Sequence, residues 1–196
     1  IGAWLSSNTL ATTQVAERAK VPHIVDQSQA PELIERGYKY TFRVMFDPPR
    51  VAKAANDFVE QVNKDWGLNG KAVFVHEDSA FGTSQSEYYR KEAEQRSVEV
   101  VKDIPYASST TDLSSEVAQA IASGADILLS TGYAPDSLLL LKTLKEQGAS
   151  FKAIIGVDSA GWYNNRFAED AGALIEGVMD AGSYPIAFSS PDYQAF

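Results

Sequence analysis

KAVFV at residues 71–75 runs into HEDSAFGTS at 76–84 and then into QSEYYRKEAEQR at 85–96. A short apolar run, a small polar turn holding a glycine, and an exposed helix-forming stretch are the parts of a strand–loop–helix unit. The turn is either a plain connection or the rim of a binding site. The choice rests on whether the unit recurs, and on what its copies carry at the same height.

It recurs. VEVVKDIPY (98–106) is rich in β-branched residues and reads as a strand that Pro105 stops. TDLSSEVAQAIASG (111–124) reads as a helix with Thr111 or Asp112 as N-cap, apolar residues at 113, 117, 118 and 121, and Gly124 as its end. ADILLSTG (125–132) is the next strand and PDSLLLLKTLKEQG (135–148) the next helix, with Pro135 near its start and Gly148 as its stop. FKAIIGVDS (151–159) repeats strand and polar loop, NRFAEDAGALIEG (165–177) is a weaker helix, and GVMDAG closes the series. Strands alternating with helices in this way predict an α/β fold built from right-handed units on a parallel sheet. Near-continuous apolar strands such as ILL and AII fit a sheet covered on both faces.

Upstream the pattern is briefer: a helix over TTQVAERAK (12–20), a strand over VPHIV (21–25), and a long helix over PPRVAKAANDFVEQVNKDWG (48–67). The weak joint is YKYTFRVMFDPP (38–49). The expected division is therefore residues 1–45 as part of one body, 46–180 as a nearly complete α/β domain, and 181–196 as a segment returning to the first body. If much of that first body is missing, the strand face at 21–25 should stand partly uncovered. The opening IGAWLSS, without an initiator methionine, reads as a processed or partial chain.

Of the 196 residues 44% are hydrophobic, enough for one sizeable core or two small ones, and the formal net charge is −9. An acidic chain without a basic stripe argues against nucleic acid and against an anionic membrane surface. The absence of cysteine removes disulfides and thiolate chemistry. His23 and His76 are the only histidines, and nothing has metal-ligand spacing, so neither a metal nor a cofactor is expected. No phosphate loop is complete. Ser79 and Ser159 follow strands, but neither lies in a nucleophile-elbow pattern, so no catalytic constellation stands out.

Ligands of open parallel sheets sit outside the carboxyl ends of the strands. Three such ends are legible: Asp78–Gly82, Thr131–Pro135 and Val157–Trp162. Each sets an aromatic ring, a carboxylate or a small polar group beside a glycine, which suits an amphoteric small molecule better than bond breaking. Phe81, Tyr133 and Trp162 also suit ordinary packing, and Asp78, Asp112 and Asp136 read as helix caps. Asp158 has no helix start within three residues, which leaves a site role and a structural role both open.

The segments WLSSNTLATTQVAE (4–17), VPHI (21–24), APELIERGYKYTFR (30–43), HEDSAFGTS, TDLSSEV (111–117), ADILLSTGYAPD (125–136) and IIGVDSAG (154–161) together resemble the branched-chain amino-acid type of solute-binding receptor of ABC importers, the leucine/isoleucine/valine-binding proteins. The resemblance implies the type I periplasmic-binding-protein-like fold, in which two α/β lobes close on a ligand, here with a hinge near residues 44–47. It also implies no catalysis. Carried over by position, it implies lobe-one contacts at Ser6 or Ser7, Gln27 and Gln29, and lobe-two contacts at Phe81, Tyr133 and Asp158. Gln27 and Gln29 stand where the family usually has small residues, and Phe81 where it often has tyrosine. The implied ligand is a small amino acid, amide or aromatic acid, and the implied partners are ABC permease subunits. The implied location is periplasmic or extracellular, lipid-anchored forms included. A ligand-sensing regulator or receptor domain of the same fold is the alternative. A Rossmann- or flavodoxin-like enzyme domain is the alternative of another class.

Overall fold

Residues 1–159, 162 and 165–182 are described in the computed structural model. Its N-terminal part contains helix α1 (Ser6–Ala19), strand β1 (His23–Val25), the single turn α2 (Glu32–Glu35) and strand β2 (Thr41–Arg43). Strands β1 and β2 pair in parallel as a sheet of their own. Helix α1 starts at Ser6, well ahead of the start expected at residue 12. Its inward stripe is hydroxylic rather than apolar: Ser6, Thr9 and Thr13 are the buried residues. Thr13 Oγ1 donates to the Thr9 carbonyl at 2.7 Å, and the Thr9 and Ser28 hydroxyls share a hydrogen bond of 2.6 Å. A search for hydrophobic periodicity passes over such a face.

Helix α3 (Pro48–Trp66) is capped by Asp47, which accepts from Arg50 N, and stops at Gly67 in left-handed geometry. Then follow β3 (Lys71–Glu77), α4 (Ala80–Ala93), β4 (Glu99–Tyr106), α5 (Ser114–Ala122), β5 (Ile127–Thr131), α6 (Ala134–Glu146), β6 (Ala153–Gly156), α7 (Asn165–Ala171), a 3-10 turn and β7 (Val178–Asp180). The five strands form one parallel sheet in the order β4-β3-β5-β6-β7. Alternation along each strand divides the core between its two faces. Ala72, Phe74, Ile127, Leu129 and Ile155 pack with residues of α3 and α4. Val73, Val75 and Leu128 pack with residues of α5, α6 and α7.

Two further expectations are corrected. Pro105 does not stop β4, because it pairs with His76 and the strand runs on to Tyr106. Strand β4 lies at the edge of the sheet, where a missing N–H is tolerated. Helix α4 begins at Ala80 rather than residue 85, because Ser79 caps it by accepting from Phe81 N.

Apolar side chains of the small sheet and of the segment that follows it stand in solvent: Phe42 is 53%, Val44 73% and Phe46 48% exposed. Among the described residues, no helix is long and apolar enough to cross a membrane.

Candidate ligand-binding site

The strand order reverses between β3 and β5, since the chain goes from β3 to one neighbour and returns to the other side. In open α/β sheets a crevice forms at that point, outside the carboxyl ends of the strands. The loops after β3 and β5 lie there, and they bring Phe81 and Tyr133 together with ring centroids 5.4 Å apart. Phe81 is buried, and Tyr133 is half-buried at the N-cap of α6.

The loop after β3 is built around a carboxylate. Glu77, fully buried, accepts from Ser79 N at 2.6 Å, Ser79 Oγ at 2.8 Å and Gly82 N at 2.5 Å. A negative group beneath the first turn of α4 also complements the helix dipole. A Cβ on Gly82 would stand 2.2 Å from the Glu77 carbonyl oxygen, so only glycine allows this close turn. Asp78, expected as a cap, is exposed and accepts from Ser108 N instead.

Asp158, after β6, is almost fully buried and holds a left-handed conformation with φ of 54°. Its Oδ2 accepts a hydrogen bond from Gln29 Nε2, although the two are 129 residues apart in sequence. Gln29, also buried, accepts through Oε1 from Gln85 Nε2 at 2.6 Å. Arg43 holds the same segment by donating to the Gln29 carbonyl at 2.8 Å. The Ser6 side chain accepts from Ala30 N at 3.4 Å. Burial pushes the Tyr133 phenol well above its ordinary pKa and the charge of Glu77 adds to this, while the Ser79 side chain and the Ser6 backbone pull the other way.

Of the candidate residues, the structure thus gathers Ser6, Gln29, Phe81, Tyr133 and Asp158. Ser7 is exposed and Gln27 half-buried, and neither side chain has a hydrogen-bond partner among the described residues. Gln85 and Glu77 escaped the sequence reading. Gln85 lies one helical turn after Phe81, and that i, i+4 spacing was its only available signal. A cavity of about 620 Å³ opens beside Tyr133, lined also by Trp4, Leu5, Ser108, Thr110 and Pro135. Among the described residues no cluster of histidine and carboxylate groups could hold a metal ion.

Asp180, at the end of β7, accepts from Ser159 N at 3.0 Å. Burial, then the neighbouring Asp158 charge, raise its pKa to about 7. The folded chain therefore keeps a proton there that the unfolded chain releases near the ordinary value of 3.8. Stability from this group is complete below that value and is lost as pH rises toward 7. Asp180→Asn is expected to raise the Tm relative to the parent protein at about pH 8, by up to about 2–4 kcal/mol of stability, with the difference closing near pH 4. Thermal unfolding across this range checks it.

A family model described as periplasmic binding protein matches residues 1–196. The chain belongs to the periplasmic binding protein family. Within this family it is 33% identical over 186 residues to a Leu/Ile/Val-binding protein homolog of Brucella abortus, covering 92% of this chain and 46% of that protein. A leucine-binding protein LivK from Thermotoga maritima superposes with a TM-score of 0.79 at 25% identity, covering 100% of this chain and 54% of that one. A solute-binding protein of an ABC transporter from Rhodopseudomonas palustris, solved with 4-hydroxybenzoate, gives 0.69 at 20% identity over 86% of this chain and 46% of its own. The fold is that of the type I periplasmic binding proteins, and the relatives named are binding proteins rather than enzymes. The chain spans about half the length of the curated relatives it matches.

Proposed function

We propose that the protein is the extracytoplasmic substrate-binding subunit of an ABC importer, which encloses a small solute between two lobes and delivers it to the permease. Residues 1–45 are then part of the first lobe, 46–180 the second, and 181–196 the return segment, of which 183–196 lie outside the described residues. The observation that carries this reading is the meeting of Ser6 and Gln29, from the N-terminal part, with Phe81 in the first turn of α4, Tyr133 at the N-cap of α6 and Asp158 after β6, all at the carboxyl ends of the large sheet's strands.

A carboxylate and two apposed rings, all at the carboxyl ends of the large sheet's strands, suit a solute with an N–H-bearing head and an apolar or planar body. Amino acids and amides fit both halves of that description. Aromatic acids fit the rings but place an anion near Asp158 and Asp180. The names of the Brucella and Thermotoga relatives support the first class, and the Rhodopseudomonas complex the second. A periplasmic or extracellular location, lipid-anchored forms included, follows from the importer role.

Isothermal titration of the full-length protein with L-leucine, isobutyramide and 4-hydroxybenzoate tests the reading. Binding of leucine or isobutyramide at micromolar Kd is the expected result. Binding of 4-hydroxybenzoate alone would overturn the N–H preference, and heat from none of the three would count against a solute site of this kind.

A further inference from the structure

Gln85, Gln29 and Asp158 form a hydrogen-bond relay whose polarity can be derived. The Asp158 carboxylate only accepts, so Gln29 must turn its NH2 group toward it. That leaves Gln29 Oε1 facing Gln85, which must then offer its own NH2. Gln85 Oε1 is left at the end of the relay, buried and without a hydrogen-bond partner among the described residues. Neither carboxamide can turn over without setting oxygen against oxygen.

The relay also crosses between bodies. Gln85 belongs to α4 and Asp158 to the loop after β6, both attached to the large sheet, while Gln29 follows β1 and is held from its own side by Arg43. A single side chain from the N-terminal part is thereby gripped from two points on the other. Its grip falls on the carboxylate that a solute with an N–H head would use.

We propose that Gln85 and Gln29 act as a built-in latch across the cleft, which a solute must displace from Asp158, and that Gln85 is the positioning residue that aims it. The solute class follows, and this step rests on the importer reading. An ammonium or other multiply protonated nitrogen outcompetes a neutral carboxamide for a buried carboxylate, whereas a single neutral donor only matches it. The orphaned Gln85 oxygen keeps the latch weak enough to yield, since an unpaired buried acceptor finds a donor once the relay breaks.

The latch itself is testable without any solute. Spin labels at Gln14→Cys and Glu146→Cys, both exposed positions in a stretch without native cysteine, report the distance between the two bodies, with any cysteine elsewhere in the full-length protein replaced by serine. Gln85→Met keeps the side chain's length and removes both polar atoms. In the full-length protein with no solute added, this variant is expected to shift the distance distribution toward longer separations. Gln29→Met is expected to do the same, and the double variant to go no further than either, because both act through one relay. Displacing the latch also stops competing with entry, so L-leucine is expected to bind Gln85→Met about 10-fold more tightly. Unchanged distances in both single variants, or shifts that add in the double variant, would overturn the latch. If the distances shift as expected but leucine affinity does not rise, the selection of solutes falls. If they shift while no probe solute binds the parent protein, the importer reading fails and the latch stands.

Discussion

Replacing Glu77 by alanine is expected to destabilise the folded protein by about 3–5 kcal/mol, the largest effect of any single polar substitution in the sheet body. The carboxylate is fully buried and gathers three donors from the loop that follows it. Truncation leaves the N–H groups of Ser79 and Gly82 without that acceptor, and each unpaired group costs about 1–3 kcal/mol. It also empties a space beneath the first turn of α4. Glu77→Gln retains the volume but must point an amide NH2 at one of these N–H donors, so an intermediate loss of about 1–3 kcal/mol is expected. Denaturant unfolding of the two variants gives the order alanine, then glutamine, then parent. The same turn sets the start of α4 and with it Phe81, so both variants are also expected to weaken solute binding. Should Glu77→Ala unfold at the parent's denaturant midpoint, the carboxylate is not what holds this turn.

Glu77 also shows why the opening stretch was only half legible. The recurrence of strand, loop and helix could be read without a structure because the central strands β3 and β5 are buried on both faces and helices α5 and α6 are followed by a positional signal, Gly124 and Gly148. The start of α4 could not, because Phe81-Gly82-Thr83-Ser84 has the composition of a loop. What makes it helical is a cap at Ser79 and a carboxylate two residues earlier, inside a strand. Pro105 misled for a related reason: its tolerance depends on β4 lying at a sheet edge, which strand order decides and local sequence does not. The hydroxylic face of α1 carries no hydrophobic period at all.

The site divides along the same line. Phe81 and Tyr133 could be singled out because they follow strands, and the reversal of strand order then sets their rings together. Asp158 was singled out by its place after a strand with its role left open, Gln29 was reached through family resemblance, and nothing local links residues so far apart. Gln85 looked like an ordinary helical glutamine. Its role rests on a partner in another part of the fold, which no periodicity reports.

Asp158→Asn is expected to lower the affinity for an amine-bearing solute by about 100-fold or more while leaving the fold intact. Asparagine is the informative choice. The backbone here has φ of 54°, a conformation asparagine adopts more readily than alanine, so the substitution does not add strain. Its side-chain oxygen still accepts from Gln29, and the relay to Gln85 survives in neutral form. The charge is lost, and with it the pairing to an ammonium, while the second carboxylate oxygen becomes an NH2 donor. Since the Asp158 charge also helps raise the neighbouring carboxyl, Asp180 is expected to titrate below 7 in this variant, burial alone still holding it above the ordinary range. Calorimetric titration with leucine and NMR titration of the Asp180 carboxyl carbon read the two effects separately. Retained leucine affinity with a lowered Asp180 pKa would mean that Asp158 carries its charge without using it on the solute. Tighter binding of 4-hydroxybenzoate in the same variant would assign the cleft to anions, with Asp158 acting as the group that repels them.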